Sequence, residues 1–405
     1  MSKEIVELSE LCDVITKGTT PSNIGAEFTE KGIKYIRSEM LTSAKYISDE
    51  GLLYISEETH KKLKRSQLKP GDILFSMAGV YLGKTAILRE CDTPANTNQA
   101  VALIRIIDEK CNREYVYYYL NLPEVVKSVN SITGQSAQPN INLKQIGNIQ
   151  IMLPERSVQD AVVTILSTYD SLIANNQKQI KLLEEAAQRL YKEWFVDLRF
   201  PGHETTPIVD GVPEGWCEST VDDCSCILRR GISPQYNEKG SSIVINQKCI
   251  RQSVVDLNEA RRQEKVFLPE MNLIDSDTVI CSTGAGTLGR VGQIFGQQPN
   301  TTFDSHVTLV RASNIVGKQY LYQFLKSKQQ YLQGMGKGST NQLELNRATI
   351  QKLVMLVPGA ETRDAFERQA QPIHDQITAL TKQIVLLQEA RDKLLPKLMS
   401  GEIEV

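Results

Sequence analysis

The sequence predicts an α+β protein built twice over: two strand-rich domains, each running into one long helix of coiled-coil character. Three observations carry this reading: self-similarity at a fixed offset, an apolar heptad seam in each half, and short β-branched runs upstream of each seam. A shift of 204 residues lays Pro154 on Pro358, Asp160-Ala161 on Asp364-Ala365, "KQIKLLEEA" (178–186) on "KQIVLLQEA" (382–390) and Leu190 on Leu394. Upstream, "VITKGTTP" (14–21) pairs with "ILRRGISP" (227–234), "VALIR" (101–105) with "VTLVR" (307–311), and "YVYYYL" (115–120) with "YLYQFL" (320–325). The chain accordingly divides into a first domain (1–153), a first long helix (154–200), a linker (201–213), a second domain (214–357), and a second long helix with its tail (358–405).

Taken from the N-terminus, the first domain opens on a glycine-containing polar turn, "TKGTTPS". "GDILFSM" (71–77) has the apolar character of a buried strand, and "VALIRI" (101–106) alternates like a half-exposed one. "EYVYYYLNL" (114–122) has helical spacing and reads as a short core helix. Val162, Leu166, Tyr169, Ile173, Asn176, Ile180, Leu183, Ala187, Leu190 and Trp194 then step by four and three, a sustained heptad seam. A helix of ~40 residues at ~1.5 Å each is roughly 60 Å long. Asn176, polar within the seam, is a candidate for fixing register. "FPGHETTPIVDGVPEGW" (200–216) is rich in Pro and Gly and reads as a linker. The second half repeats the series with "RRGISPQ", "DTVICS" (277–282), "VTLVRA" (307–312) and "KQYLYQFLKS" (318–327). Its seam is Phe366, Ala370, Ile373, Ile377, Leu380, Ile384, Leu387, Arg391, Leu394 and Leu398. Pro372, lacking an amide, is expected to kink or delay that helix.

The formal net charge of −2 is unevenly spread. Residues 1–153 carry 18 basic and 18 acidic side chains, 154–210 carry 6 and 9, 211–357 carry 16 and 13, and 358–405 carry 6 and 8. A lone non-specific DNA binder is much more basic, since Lys and Arg contacts to phosphate supply most of that affinity. A chain of this balance that meets nucleic acid reads it with few charges or shares the grip with a partner. No run approaches ~18 apolar residues and "MSKEIVELSE" is no signal peptide, so a cytoplasmic protein off the membrane is expected. Eight scattered cysteines without CxxC spacing suit a reducing compartment. Cys224 and Cys226 form a CxC with no histidine near it, and no metal site is expected there.

Two glycine-rich stretches invite a nucleotide-binding reading. "AGVYLGKT" (78–85) is close to a phosphate-cradling loop, and "STGAGTLGR" (282–290) contains the spacing of a dinucleotide turn. The repeat puts them at the same structural position, yet the two mechanisms need different glycine spacings. Both also need a helix directly after the loop, whereas "AIL" and "VGQIF" look like further strand. Asp304, placed about where a ribose-binding acid would sit, lies in an apparent strand entry. The simpler reading is a glycine hairpin ending in a cation, Lys84 or Arg290, able to contact a phosphate or a guanine edge. His60, His203, His306 and His374 lie in unlike contexts, and neither HExxH nor GxSxG occurs. The acidic pairs Glu57-Glu58 and Glu184-Glu185 read as solvated surface. No catalytic residue is assigned.

In this layout the chain resembles, over essentially its full length, the specificity subunit of a type I restriction–modification system. The resemblance rests on two variable domains each followed by a long helix, on "RLYKEWFVDLRFPG" (189–202) and "KLLPKLMSGEIEV" (393–405), on the turns "TKGTTPS" and "RRGISPQ", and on the helix entries "PERSVQDAV" and "PGAETRDAF". It implies that each variable region is a target recognition domain reading half of a split DNA sequence. It implies too that the helices pack as an antiparallel coiled coil, giving a pseudo-twofold relation and a ruler for half-sites roughly 34 Å apart. Expected partners are double-stranded DNA, two methyltransferase subunits that carry S-adenosylmethionine and flip the adenine, and two motor–nuclease subunits using ATP and magnesium. This chain itself would hold no cofactor. The alternatives are the reader of another bipartite-site restriction system, a partnerless DNA-binding scaffold, and a nucleotide-dependent motor using "AGVYLGKT".

Candidate DNA-contacting residues fall in three places in each half. The first is the turn near the domain start: Lys17, Thr19, Thr20 and Ser22, and Arg229, Arg230, Ser233 and Gln235. The second is the glycine hairpin: Lys84 and Thr85, and Thr287 and Arg290. The third is the polar stretch before each helix: Gln135, Ser136, Gln138 and Asn140, and Lys337, Ser339, Thr340, Asn341 and Gln342. Arg37 and Lys248 are weaker additions. Gln and Asn suit adenine edges, and Arg or Lys suit guanine. Trp194 and Phe195 are better read as packing residues.

Overall fold

The computed structural model describes residues 4–405 except 43, 48–50, 133–138, 252, 285 and 337–343. The chain divides into two compact units, residues 1–173 with 386–405, and residues 174–385, and both are mixed α+β.

The first unit begins with β1 (Glu4–Glu7), β2 (Cys12–Lys17), β3 (Ile33–Ile36), β4 (Leu53–Ile55), α1 (Glu57–Lys62), β5 (Ile73–Ser76) and β6 (Thr85–Ile87). It continues with β7 (Ala95–Thr97), β8 (Val101–Ile106), α2 (Arg113–Leu120), α3 (Pro123–Ile132), α4 (Leu143–Gly147), β9 (Gln150–Leu153) and the first part of the long helix α5 (Arg156–Phe195). An antiparallel sheet has the order β2-β8-β5-β6, a second has β4-β3-β7 with β3 and β7 parallel, and β1 pairs with β9. Asn112 caps α2 by accepting from the Glu114 amide, and Asn142 caps α4 with Gln145 returning the bond.

The second unit holds the rest of α5, then a hairpin of β10 (Ile208–Val209) and β11 (Val212–Pro213), followed by β12 (Cys217–Thr220), β13 (Ser225–Arg230), β14 (Ser242–Ile245) and β15 (Arg261–Gln263). Next come β16 (Thr278–Cys281), β17 (Val291–Gln293), β18 (Thr301–Phe303), β19 (Val307–Ala312), α6 (Lys318–Ser327), α7 (Gln329–Gly334), α8 (Arg347–Gln351), β20 (Val354–Val357) and α9 (Ala360–Ser400), whose residues from 386 on belong to the first unit. Its sheets are β13-β19-β16-β17 and β15-β14-β18, and β12 pairs with β20. Strand for strand this is the topology of the first unit, so the sequence repeat reappears as a repeated fold.

The predicted half-exposure of "VALIRI" and "VTLVRA" is not what the structure has. Val101 and Leu103 face one apolar cluster while Ala102, Ile104 and Ile106 face another. In β19, Val307 and Leu309 face one cluster and Val310 another. Each is an inner strand covered on both sides, so period-two alternation marks two cores rather than one core and solvent. The expected buried strands β5 and β16 are buried throughout, and the short core helices are α2 and α6.

Helix α9 runs unbroken through Pro372, which costs one backbone bond, to the carbonyl of the exposed Arg368. In the first unit Val162 and Leu166 of α5 share a core with Leu395, Leu398 and Met399 of α9, and Asp170 accepts from Arg391 at 2.7 Å. In the second, Tyr191, Trp194 and Phe195 share a core with Phe366 and Ala370, while Asn176 donates to Gln383 at 3.2 Å. As numbering rises along one stretch it falls along the other. Val162, Leu166, Ile173, Asn176, Phe366, Ile377 and Leu380 are buried, and Tyr169, Ile180, Leu183, Leu190, Ile373, Ile384, Leu387 and Leu394 half-buried. Leu172, Leu182, Val385 and Leu386, outside that set, are exposed.

The linker reading is modified: residues 208–213 form a hairpin around Asp210-Gly211, both at positive φ, and Phe200 packs on Trp216 at 4.7 Å.

Candidate nucleic-acid interface

Both glycine loops close β-hairpins, β5–β6 and β16–β17, so each leads into a strand rather than a helix. The geometry of a phosphate-cradling loop is therefore missing at both places. What the loops do instead is join a ladder of backbone bonds that recurs in each unit. In the first, Gly18 N–H donates to Val101 O at 3.4 Å and Thr19 N–H to Thr97 O at 3.1 Å. Met77 N–H donates to Ala100 O at 2.8 Å, and Ile141 N–H to Met77 O at 2.9 Å. In the second, Gly231 donates to Val307 O at 3.1 Å, Ile232 to Phe303 O at 3.0 Å, Ser282 to His306 O at 2.7 Å, and Leu345 to Ser282 O at 2.8 Å. The starting turn, the glycine hairpin and the segment leading to the helix, far apart in sequence, thus meet at one edge of each unit.

Glycine is required at the first rung. A Cβ on Gly18 would stand 1.9 Å from Thr97 O, and one on Gly231 2.1 Å from Phe303 O. The strands that lead to Arg37 and Lys248, β3 and β14, join the same edge: Thr97 hydroxyl donates to Ile36 O at 2.8 Å, and Asp304 N–H to Ile245 O at 2.9 Å.

In the first unit Lys17, Ser22, Lys84 and Asn140 are exposed. Thr19 accepts at its hydroxyl from Arg65 at 3.3 Å, Thr20 hydroxyl donates to Gln99, and Arg37 pairs with Glu39 at 2.8 Å. Thr85 is 1% exposed and its hydroxyl accepts from Asn121 at 2.6 Å, so it presents no surface to a ligand. In the second unit Arg229 pairs with Glu270 at 3.1 Å and Arg230 with Glu344. Gln235 donates to Glu264 at 2.5 Å, and Ser233 O accepts from Lys265 at 3.0 Å. Lys248 is exposed, Arg290 is half-buried, and Thr287 hydroxyl donates to Thr283 O at 3.0 Å. Gln135, Ser136, Gln138, Lys337, Ser339, Thr340, Asn341 and Gln342 lie outside the described residues. What remains of the third segment, Asn140 and Glu344, bridges to Ala78 and Thr283 of the glycine hairpins.

At the other end of the strands that carry the ladder, each unit holds a buried carboxylate paired with an arginine. Arg105 makes paired bonds of 2.7 Å to Asp72, and Arg311 does the same with Asp277; both aspartates are 1–2% exposed. These contacts push each guanidinium upward from its ordinary pKa. Asp304, the apparent ribose acid, is buried and accepts from the His306 amide at 2.9 Å; burial raises its pKa. Glu184 is likewise not solvated surface: burial raises its carboxyl to about 7 despite the nearby Lys326.

Several edge residues were not legible in sequence. His306 contacts Thr283 hydroxyl at 2.5 Å on the glycine hairpin, and Arg65 and Gln99 hold the starting turn. Beside Gln235, Arg261 lies 3.7 Å above the exposed Tyr236 ring. Each comes from a loop or short strand whose position only the folded topology supplies. Among the described residues no group of three His, Cys, Asp or Glu side chains could hold a metal ion, and no helix is long and apolar enough to cross a membrane.

Comparison with known proteins points the same way. Residues 2–185 match the family described as the type I restriction modification DNA specificity domain. The type I restriction enzyme MjaIX specificity subunit of Methanocaldococcus jannaschii is 26% identical over 100% of this chain and 93% of its own length. The HindI specificity subunit of Haemophilus influenzae is 21% identical, covering 84% of this chain and 88% of its own. In fold, the type I restriction–modification S subunit of M. genitalium superposes with a TM-score of 0.52 at 14% identity, covering 98% of this chain and 96% of that one.

Proposed function

Because this chain belongs to the specificity subunits of type I restriction–modification systems, we propose that it is the non-catalytic reader of a bipartite, gapped DNA site. Each strand-rich domain, 1–153 and 214–357, reads one half-site. The observation that carries this reading is the edge built twice by the same hydrogen-bond ladder. In one unit it presents Lys17, Ser22, Lys84 and Asn140, and in the other Arg229, Arg230, Gln235, Lys248 and Arg290. Arg and Lys donors suit guanine O6 and N7 or phosphate, and the amides suit adenine.

The helices, residues 154–200 and 358–405, form an antiparallel coiled coil that relates the domains by a pseudo-twofold and fixes the gap. They also dock two methyltransferase subunits, which supply S-adenosylmethionine and adenine-N6 transfer. Two motor–nuclease subunits bring ATP and magnesium chemistry. Charge balance supports shared grip: the first domain is neutral, so the partners must close around the phosphate backbone.

The test is to map methylated bases genome-wide in a host expressing the chain with its methyltransferase, against the methyltransferase by itself. A new split motif of two short half-sites with a fixed gap, methylated on both strands, is expected. A chain that binds its partner yet yields no new motif would be a scaffold instead.

A further inference from the structure

Two buried polar clusters lie where a long helix meets the domain of its own unit, away from the ladder edge. In the first unit Lys45, 4% exposed, is held by Glu114 at 2.7 Å and the Tyr118 hydroxyl at 3.1 Å. Asp170 of α5, 6% exposed, accepts from Tyr118 at 2.5 Å and from Arg391 of α9 at 2.7 Å, and lies 3.9 Å from the Lys45 ammonium. In the second unit His374 of α9, 3% exposed, contacts Asp275 at 2.9 Å, Gln293 at 3.2 Å and Ser276 at 3.3 Å, and stacks on Phe295. Gln319 closes this network by accepting from Gln293 at 3.1 Å.

The offset of 204 makes position 374 the counterpart of 170, and 391 that of 187. The clusters therefore occupy the same place with their sense inverted. At the matched helix position the first unit has a carboxylate, met by Lys45 of the domain and Arg391 of α9, and the second has an imidazole, met by the Asp275 carboxylate of the domain. The domain side differs as deeply. Asp72 and Asp277 hold matching arginines, which makes Pro70 the counterpart of Asp275. Ile73 faces Ile87 as Thr278 faces Gln293, so Ile87 stands where Gln293 does.

We propose that these clusters key each recognition domain to its own helix stretch, so that the two domains of this chain cannot trade places. Set on the α5 stretch, the second domain would drive the half-buried Asp275 carboxylate against the buried Asp170. Set on the α9 stretch, the first domain would put Pro70 and Ile87 where His374 has Asp275 and Gln293, and would bring the Lys45 ammonium, with its Glu114 partner, to an imidazole instead of the Asp170 carboxylate. Burying a charge or donor without its partner is strongly destabilising. Calling the modules recognition domains rests on the function proposed above; the keying itself is read from stability and stands or falls without DNA.

The experiment exchanges residues 4–153 with 217–357 in the full chain, once with the helices unchanged and once with the keys exchanged as well (D170H, H374D, A187R, R391A). Calorimetry is expected to show the key-exchanged chain melting higher, by on the order of 10 °C. Equal melting of the two chains overturns the proposal. If neither exchanged chain folds, a cycle in the native arrangement decides. D275K with H374D, which installs the first unit's polarity in the second, is expected to melt above both single variants, whereas additive losses overturn the keying.

Discussion

Arg311 and Asp277 bind one another twice at 2.7 Å, with the aspartate almost sealed from water, on the β16–β19 strand pair whose other end joins the ladder. Asp277→Ala leaves a half-buried guanidinium without its counter-charge and is expected to cost about 1.5–3 kcal/mol, measured by urea unfolding. Glu184 gives a pH dependence of definite sign. Its carboxyl ionises at its usual 4.5 when unfolded but at about 7 in the fold, so the fold holds the proton more tightly. That contribution is full below the unfolded value and is lost as pH rises toward the folded one. Glu184→Gln should therefore melt with a flatter pH profile than the parent between about pH 5 and 7. An unchanged profile would show that Glu184 is solvated after all. Nothing in "LLEEAA" announces this burial: the seam assigns the helix face, but not that Tyr322 and Lys326 of α6 come to cover it.

Among elements, the glycine hairpins show how sequence and structure divide the information. Their glycine spacing imitates nucleotide loops, but the strand that follows, β6 or β17, was legible from "AIL" and "VGQIF" and rules that geometry out. Strands β5 and β16, helices α2 and α6 and both long helices were equally legible, because burial on one stripe or in one short run leaves a periodic mark. The two-sided covering of β8 and β19 was not, since alternation is the same whether the second face meets water or another core. The candidate turn was legible too; the ladder that joins it to the hairpin was not, because its bonds are backbone to backbone and leave no residue signature except at Gly18 and Gly231. Gly231→Ala should push the turn off Phe303 O, costing about 1–3 kcal/mol of stability. Its DNA affinity should fall with it, checked by denaturant melts alongside mobility shifts.

For the whole molecule, affinity for DNA should be modest and specific rather than strong and indiscriminate, given a formal net charge of −2. Arg290→Ala is expected to weaken binding of the assembled complex by about 1–3 kcal/mol. Relaxed selectivity at one base marks a base contact, and a uniform loss with a shallower salt slope marks a phosphate contact. The division of the chain has a further consequence. Leu395, Leu398 and Met399 pack into the core of the first unit. A chain ending at Val385 should therefore leave that unit open, seen as rapid proteolysis within residues 1–173 while the second unit resists.

The same placement sets a timetable for synthesis. Residues 1–173 emerge from the ribosome first, yet the side chains that complete their core are made only after residues 174–385. At roughly 5–20 residues per second that delay lasts about ten to forty seconds. Throughout it the core around Val162 and Leu166, fully buried in the finished fold, lacks Leu395, Leu398 and Met399. The nascent chain is thus an open apolar stripe awaiting its own last turns of helix, and chaperone engagement should fall away as residues 386–400 emerge.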